Sequence, residues 1–379
     1  MGNTQTENRS KITKISLSGF KSFGRDTASC EIELSDINIL IGANGSGKSN
    51  FLSFFKMLKY IMSGSFQEYV AKNGFAEQLL HFGSKNTTAI QAHIWFQNAE
   101  SPNSEYIFDL EKSVNDSLVF THERTAYTIW GFESEGAQKE SFLDGYLRED
   151  SAEIKVKEIL SNCRIFQFHD TSDSSHLRNA CSLSASDYLL PDGGNVASFL
   201  YKLKNSSALN KKYYERIVEY VRFAVPNFSD FILEPNPFNK DMIQLKWRAA
   251  NNFEYEMNAS QLSDGSIRFI ALAALLLAPP EFLPNVILID EPELGLHPQA
   301  VDYLCQMIRI ASENSQVIVA TQSPRLVDCF DLEQIIVCDS DRKTHSTVMK
   351  HLDENEFSEW LDEYSISQLW EKNVIGGQP

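Results

Sequence analysis

No two of the six cysteines (Cys30, Cys163, Cys181, Cys305, Cys329, Cys338) stand at C-x-x-C spacing. That removes the usual zinc and disulfide-frame readings and fits reduced thiols in a cytoplasm. Nor does any apolar run in the 379 residues reach the length needed to cross a bilayer, and Met1-Gly2-Asn3-Thr4-Gln5-Thr6 lacks the apolar core of a secretion signal. A cytoplasmic protein with no membrane partner is therefore expected. A basic excess is missing too. Against 34 lysines and arginines stand 51 aspartates and glutamates, a net charge of −17, which opposes general coating of nucleic acid and leaves only a local basic patch as a route to DNA. Apolar a/d heptads are nowhere sustained, so no long coiled coil is expected. What remains, 42% hydrophobic and 22% charged residues, describes a globular chain with room for two domains or for one domain with a sizeable insertion.

The most informative stretch is Ile37 to Phe51. A β-branched run, Ile37-Asn38-Ile39-Leu40-Ile41, leads into Gly42-Ala43-Asn44-Gly45-Ser46-Gly47-Lys48-Ser49-Asn50 and then into helix-forming sequence. This is the pattern G-x-x-x-x-G-K-[ST] in its strand, loop and helix setting. Glycines let backbone N–H groups turn towards a phosphate, the helix N-terminus adds its dipole, Lys48 reaches the β and γ phosphates, and Ser49 offers a hydroxyl to Mg²⁺.

Around that loop, Ile12–Leu17 and Cys30–Leu34 alternate as strands, and residues 90–96, 105–110 and 118–120 read as an antiparallel meander with one face covered. The acidic stretch 131–151 is poor in periodicity and is expected to be a loop or an insertion. Arg164–Ser172 is expected to be a strand carrying Gln167, His169 and Asp170 to one end, and 172–228 is expected to be helical. Lys202, Lys204, Lys211, Lys212, Arg216 and Arg222 cluster there, as a solvated helix face or a nucleic-acid patch. Strands are expected at Phe231–Glu234 and Met242–Trp247. Ser263 should cap the apolar helix that begins near Gly265. Four aliphatics, Val286–Ile289, form a buried parallel-type strand that ends in Asp290 and Glu291, one carboxylate for the metal and one to polarise water. Gln316–Ala320 is a further buried strand, ending in Thr321-Gln322-Ser323-Pro324. The blocks expected are 1–170, 171–240 and 241–379.

The order strand, Gly19-Phe20-Lys21-Ser22-Phe23, strand, Gly42–Asn50 resembles the opening of the SMC and RecF class of ABC-type ATPase heads. The resemblance implies an α/β P-loop NTPase fold, with a β-rich antiparallel lobe carrying Walker A, a RecA-like and helical lobe, and here no coiled-coil arm. It implies ATP and Mg²⁺ as ligands. Lys21 and Ser22 would approach the nucleotide, and Asn44, Gly45, Ser46, Gly47, Lys48, Ser49 and Asn50 would cradle it. Gln167 would sense the γ-phosphate and join Ser49 and Asp290 at the metal, while Glu291 would orient the attacking water. Gln261-Leu262-Ser263-Asp264-Gly265 resembles the Leu-Ser-Gly-Gly-Gln signature with Asp264 replacing a glycine, so that Ser263 and Gly265 would complete a partner's site. Gln322 stands where related heads carry a histidine. The segment Leu369–Gly377 resembles the ending of small bacterial AAA-labelled ATPases that accompany a separate nuclease in defence or toxin-antitoxin loci. The implied unit is a head-to-tail homodimer or higher oligomer, regulating an effector on another chain. A RecF-like DNA-repair ATPase is the alternative. No N-K-x-D motif supports a GTPase, and no nuclease constellation is present in this chain.

Overall fold

The computed structural model describes residues 10–25, 30–97, 104–127, 130–145, 152–250 and 252–378. The polar opening stretch, most of the turn expected at 98–104, and residues 146–151 of the loop or insertion expected at 131–151 lie outside it. The chain divides into two compact units, Met1–Arg164 with Asp331–Pro379, and Ile165–Phe330.

In the first unit, β1 (Lys11–Ser18) and β2 (Cys30–Glu33) form a hairpin whose alternation buries Ile12, Ile15, Leu17 and Ile32. Then come the wholly buried β3 (Ile37–Ile41), α1 (Lys48–Met62), α2 (Phe66–Lys72) and α3 (Phe75–Leu79). The meander follows as β4 (Ala89–Gln97), β5 (Ser104–Lys112), β6 (Leu118–Tyr127) and β7 (Trp130–Gln138), closed by α4 (Ala152–Ser161). Its sheet runs β2-β1-β4-β5-β6-β7 with antiparallel neighbours throughout. The fourth meander strand is a correction to the sequence reading, which expected a loop or an insertion there. β7 is the edge of the sheet and residues 131–138 are largely exposed, so neither face imposes a hydrophobic alternation. Aromatic packing fastens α1 to the sheet, with Phe54 against Phe20 and Phe108 at centroid distances of 6.2 and 6.5 Å.

After β8 (Cys163–Phe166) the chain builds the second unit: β9 (Cys181–Ser182), α5 (Val196–Asn205), α6 (Ala208–Ala224), β10 (Phe228–Ile232), β11 (Pro235–Asn236), β12 (Asn239–Ile243), β13 (Lys246–Ala249), β14 (Asn252–Asn258), α7 (Asp264–Leu276), β15 (Val286–Asp290), α8 (Pro298–Ser312), β16 (Gln316–Ala320) and α9 (Pro324–Val327). Two further expectations are corrected. Helix begins only at Val196, residues 172–195 being turns and the short β9. The strand expected over Met242–Trp247 is two strands, because the chain changes partners at Gln244-Leu245: β12 pairs with β9 and β11, β13 with β10 and β14. The Gln244 amide donates to the Arg178 carbonyl at 3.0 Å at that crossing. α7 is buried on every side from Ile267 to Leu276, the mark of a core helix. β15 and β16 pair in parallel, from Val286 opposite Gln316 to Asp290 opposite Ala320. Among the described residues the longest helix is α6, with 17 residues, so no coiled-coil arm is present there.

The chain then returns to the first unit as β17 (Ile335–Ser340), β18 (Thr347–His351), α10 (Glu354–Leu361) and α11 (Ile366–Glu371). β17 lies parallel to β3, Val337 opposite Ile41, and antiparallel to β18.

Candidate nucleotide site

Within the first unit the 42–49 loop joins β3 to α1, as the apolar run and the glycines require. α1 starts without a side-chain cap, its N-cap being Gly47, so its first N–H groups are presented to the loop rather than to a neighbouring hydroxyl. Lys48 is 6% exposed, and its Nζ donates to the carbonyls of Gly42 at 2.5 Å and Ala43 at 3.0 Å. A folded-back ammonium held by the loop's own carbonyls is poised to exchange them for phosphate oxygens. The Ser46 hydroxyl is buried without a partner among the described residues, and a Cβ at Gly45 would meet nothing within 4 Å. An orphaned donor and an open concavity of backbone fit a bound triphosphate. Asn44 and Ser49 are exposed at the mouth.

Lys21 and Ser22 are drawn to the first turns of α1. Lys21 Nζ donates to Ser53 Oγ at 2.6 Å, and burial, with Lys56 nearby, lowers its pKa. Ser22 Oγ accepts from Asn50 Nδ2 at 2.8 Å and lies 2.8 Å from the Thr347 hydroxyl. A cavity of about 720 Å³ opens beside them, lined also by His81, Phe82 and His345.

Within the second unit, Asp290 ends β15 and Glu291 follows at φ 43°, a left-handed backbone costing a non-glycine residue of order 1–3 kcal/mol. That turn aims the Glu291 side chain at β16's exit, where Gln322 Nε2 donates to Glu291 Oε1 at 2.5 Å. Glu293 Oε1 accepts from Thr321 Oγ1 at 2.6 Å and from the Gln322 N–H at 3.1 Å, and its Oε2 is buried with no partner among the described residues. Burial pushes the Glu293 carboxyl above its ordinary value.

Ser263 caps α7, its Oγ accepting from the Ser266 N–H at 3.1 Å, and remains exposed. A Cβ at Gly265 would lie 2.2 Å from the Gly295 carbonyl oxygen, so only glycine lets the 293–298 turn rest on the start of α7. Gln167 lies beyond the end of β8, where a strand was expected to continue. Its side chain is exposed and its N–H donates to Pro191 O at 3.0 Å. The turn it begins is tied to both motifs: Arg268 of α7 donates to Phe168 O at 2.9 Å, and His169 Nε2 donates to Asp290 O at 2.8 Å.

Sequence reasoning missed Arg178 and Arg268. Arg178 is 6% exposed and donates to Thr171 O (2.7 Å), Ala259 O (2.5 Å), Leu262 O (3.1 Å) and Asp264 Oδ1 (2.9 Å). It is a pin under the 259–264 turn, and it explains the aspartate at a position where the signature carries glycine. Bonds from Thr171 and Arg178 hold the Asp264 carboxyl below its ordinary value. No periodicity marks Arg178, since its partners lie up to 86 residues away. Three of the six residues of the basic cluster are spoken for: Lys202 pairs with Asp187 at 2.7 Å, Lys204 with Asp230 at 3.7 Å, and Arg222 donates to Ser229 O at 2.6 Å.

The family model described as "AAA domain, putative AbiEii toxin, Type IV TA system" matches residues 37–328. Solved structures that share the fold include three Smc heads. An Smc head bound to the C-terminal winged-helix domain of ScpA superposes with a TM-score of 0.57 at 18% identity, covering 91% of this chain and 99% of that one. The Smc head with an extended coiled coil from Pyrococcus furiosus, bound to the C-terminal domain of ScpA, gives 0.55 at 17%, covering 93% and 99%. The Smc head with coiled coil and joint from Pyrococcus yayanosii gives 0.53 at 13%, again covering 93% and 99%. The fold is thus an SMC-type P-loop head. Urease accessory protein 2 of Cryptococcus neoformans var. grubii is 31% identical over 83 residues, which is 22% of this chain, and the chain spans 6% of that protein's length.

Proposed function

Because this chain belongs to the AAA-domain family of the AbiEii type, we propose that it is a Mg²⁺-dependent ATPase acting as a head-to-tail homodimer to control a separate effector, such as a nuclease, in prokaryotic antiviral defence or a toxin-antitoxin pair. The observation that carries the ATPase reading is the Gln322–Glu291 bond at the exits of two adjacent parallel strands. That bond supports reading Glu291 as the carboxylate that polarises water and Gln322 as the amide that registers a phosphate.

Lys48 holds the β and γ phosphates, with the 44–47 backbone and Asn50 around them, and Lys21 and Ser22 approach the remainder of the nucleotide. Ser49, Asp290 and Gln167 would hold Mg²⁺, which when bound neutralises charge on the phosphate oxygens. A hydroxyl, a carboxylate and an amide oxygen are the hard donors that ion prefers. Glu291 orients and polarises the attacking water, and Gln322 fixes the carboxylate that does so. Ser263 and Gly265, at the exposed start of α7, complete the site of the second copy. The defence role rests on the family's association with toxin-antitoxin systems and on the lack of a nuclease constellation in this sequence. The DNA-repair alternative draws on Lys211 and Lys212, which stay exposed on α6.

Nucleotide binding and turnover of purified variants test the ATPase reading. Lys48→Ala is expected to lose ATP binding, whereas Glu291→Gln binds ATP and turns it over at least ~10²-fold more slowly. A Glu291→Gln protein with wild-type turnover overturns the assignment of the base. Co-purification with the product of an adjacent gene, together with toxicity triggered by phage, tests the regulatory role.

A further inference from the structure

The segment Leu369–Gly377 has no part in the chemistry above and lies beyond the matched residues 37–328, yet it reaches the phosphate loop. Its path is set locally. Ser365 and Gln368 cap α11 reciprocally, and past its end at Glu371 the chain turns at Asn373 (φ 57°), with N–H groups of Asn373 and Val374 donating to Trp370 O and Leu369 O. Leu369 and Ile375 are fully buried and Trp370 is 4% exposed, which fixes the direction of the chain that follows. Gly376 and Gly377 then turn at φ 84° and 78°. The Gly377 N–H donates to Asp339 Oδ2 at 3.3 Å, and the Trp370 Nε1–H donates to Gly377 O, also at 3.3 Å.

This double anchor seats Gly377 against the first residue of the cradle. A Cβ on Gly377 would stand 3.0 Å from Val337 Cγ1 and 3.3 Å from Gly42 Cα. Gly42 is pressed from a second direction as well, since a Cβ there would lie 2.2 Å from Cys338 O. Its own carbonyl receives the Lys48 ammonium. Gly42 is therefore boxed between β17 and the Gly377 backbone while it anchors the lysine.

We infer that Trp370–Gly377 is a strap that holds the phosphate loop in its binding-competent shape by immobilising Gly42, with Trp370 and Gly377 as positioning residues for nucleotide capture. This rests on reading the 42–49 loop as the nucleotide cradle. The physical benefit is entropic. A glycine-rich loop loses more freedom on ordering than other sequence, and a loop ordered in advance does not subtract that cost from binding.

Two readouts on the full chain separate this inference from the ATPase assignment. In hydrogen exchange without nucleotide, Trp370→Phe keeps one aromatic ring but removes the Nε1–H bond together with part of the indole's buried volume, and Gly377→Val wedges the strap away from Gly42. Both are expected to speed exchange in a 37–51 peptide about tenfold or more, while peptides over 89–112 stay as in the wild type. In ATP binding and turnover, Trp370→Phe is expected to weaken Kd about tenfold and leave kcat at saturation within about threefold. Unchanged protection of 37–51 in Trp370→Phe overturns the strap. Faster exchange there with an unchanged Kd overturns its role in nucleotide capture. Should Gly377→Val not fold, Trp370→Phe decides both points. Should the wild type bind no ATP, the ATPase reading fails while the exchange result still decides the strap.

Discussion

In the ATPase proposed above, Gln322 is the residue that tells a bound triphosphate from an empty site. Where related heads place histidine, an amide can donate but cannot become a cation, so the residue must act by position. It is held at two points, through its backbone by Glu293 and through its side chain by Glu291. A shift in the 293–298 turn therefore reaches the Glu291 carboxylate by two hydrogen bonds. Gln322→Ala is expected to cut kcat about 10²-fold, the scale of removing one preorganised donor, with Kd for ATP within about threefold, as checked by single-turnover kinetics beside equilibrium binding. Equal losses in both would instead make Gln322 a binding residue. At this scale position was legible wherever it is set locally: Lys48 and Ser49 open α1, and Asp290 and Glu291 follow the aliphatic run of β15, as their neighbours in sequence require. Arg178 and Arg268 were not, because each acts on carbonyls or carboxylates some 80 to 100 residues away.

Elements were legible where burial had selected their residues. β3, β15 and β16 are buried, mostly aliphatic runs and α7 an apolar helix, so strand and helix followed directly from the residues. β7 was not, because an exposed edge strand needs no apolar side, and its membership comes from backbone pairing with β6. The strand beside that edge carries a buried acid. Glu123 on β6 accepts from the Tyr106 hydroxyl at 2.5 Å, from the Ser141 hydroxyl, and from the Phe142 N–H at 2.9 Å, fastening the meander to the turn after β7. Burial outweighs these donors and raises its pKa. The folded state then holds a proton that the unfolded chain has released, so stability from this group is fully present below the ordinary glutamate pKa and is lost as pH rises through the raised one. Thermal unfolding from pH 4 to 8 is expected to show wild type losing stability relative to Glu123→Gln as pH increases. A difference that is flat, or that grows in favour of wild type, would reverse the sign.

At the scale of the molecule, the question is what covers the exposed start of α7. Ser263 and Gly265 line a cavity of about 390 Å³ with Phe223, Phe269, Leu296 and His297, polar at the helix end and apolar beyond it. In the dimer proposed above, the nucleotide of one copy fills the polar end of the other, so association should require ATP and persist when hydrolysis is blocked. Light scattering on Glu291→Gln is expected to give 43.0 kDa without nucleotide and twice that with Mg²⁺-ATP, and Ser263→Arg is expected to stay at 43.0 kDa while still binding ATP. Salt then separates the two biological readings. Two copies that each carry a net charge of −17 repel, and the Debye length falls from about 30 Å at 0.01 M to about 10 Å at 0.1 M, so added salt should strengthen the dimer. A DNA complex made through Lys211 and Lys212 would weaken over the same range as counterions are recaptured. ATP-dependent dimers that tighten from 0.01 to 0.1 M salt, with no DNA retained, favour the regulatory ATPase. A chain that stays at 43.0 kDa with ATP bound at every salt concentration removes the shared site, and with it the role given to Ser263.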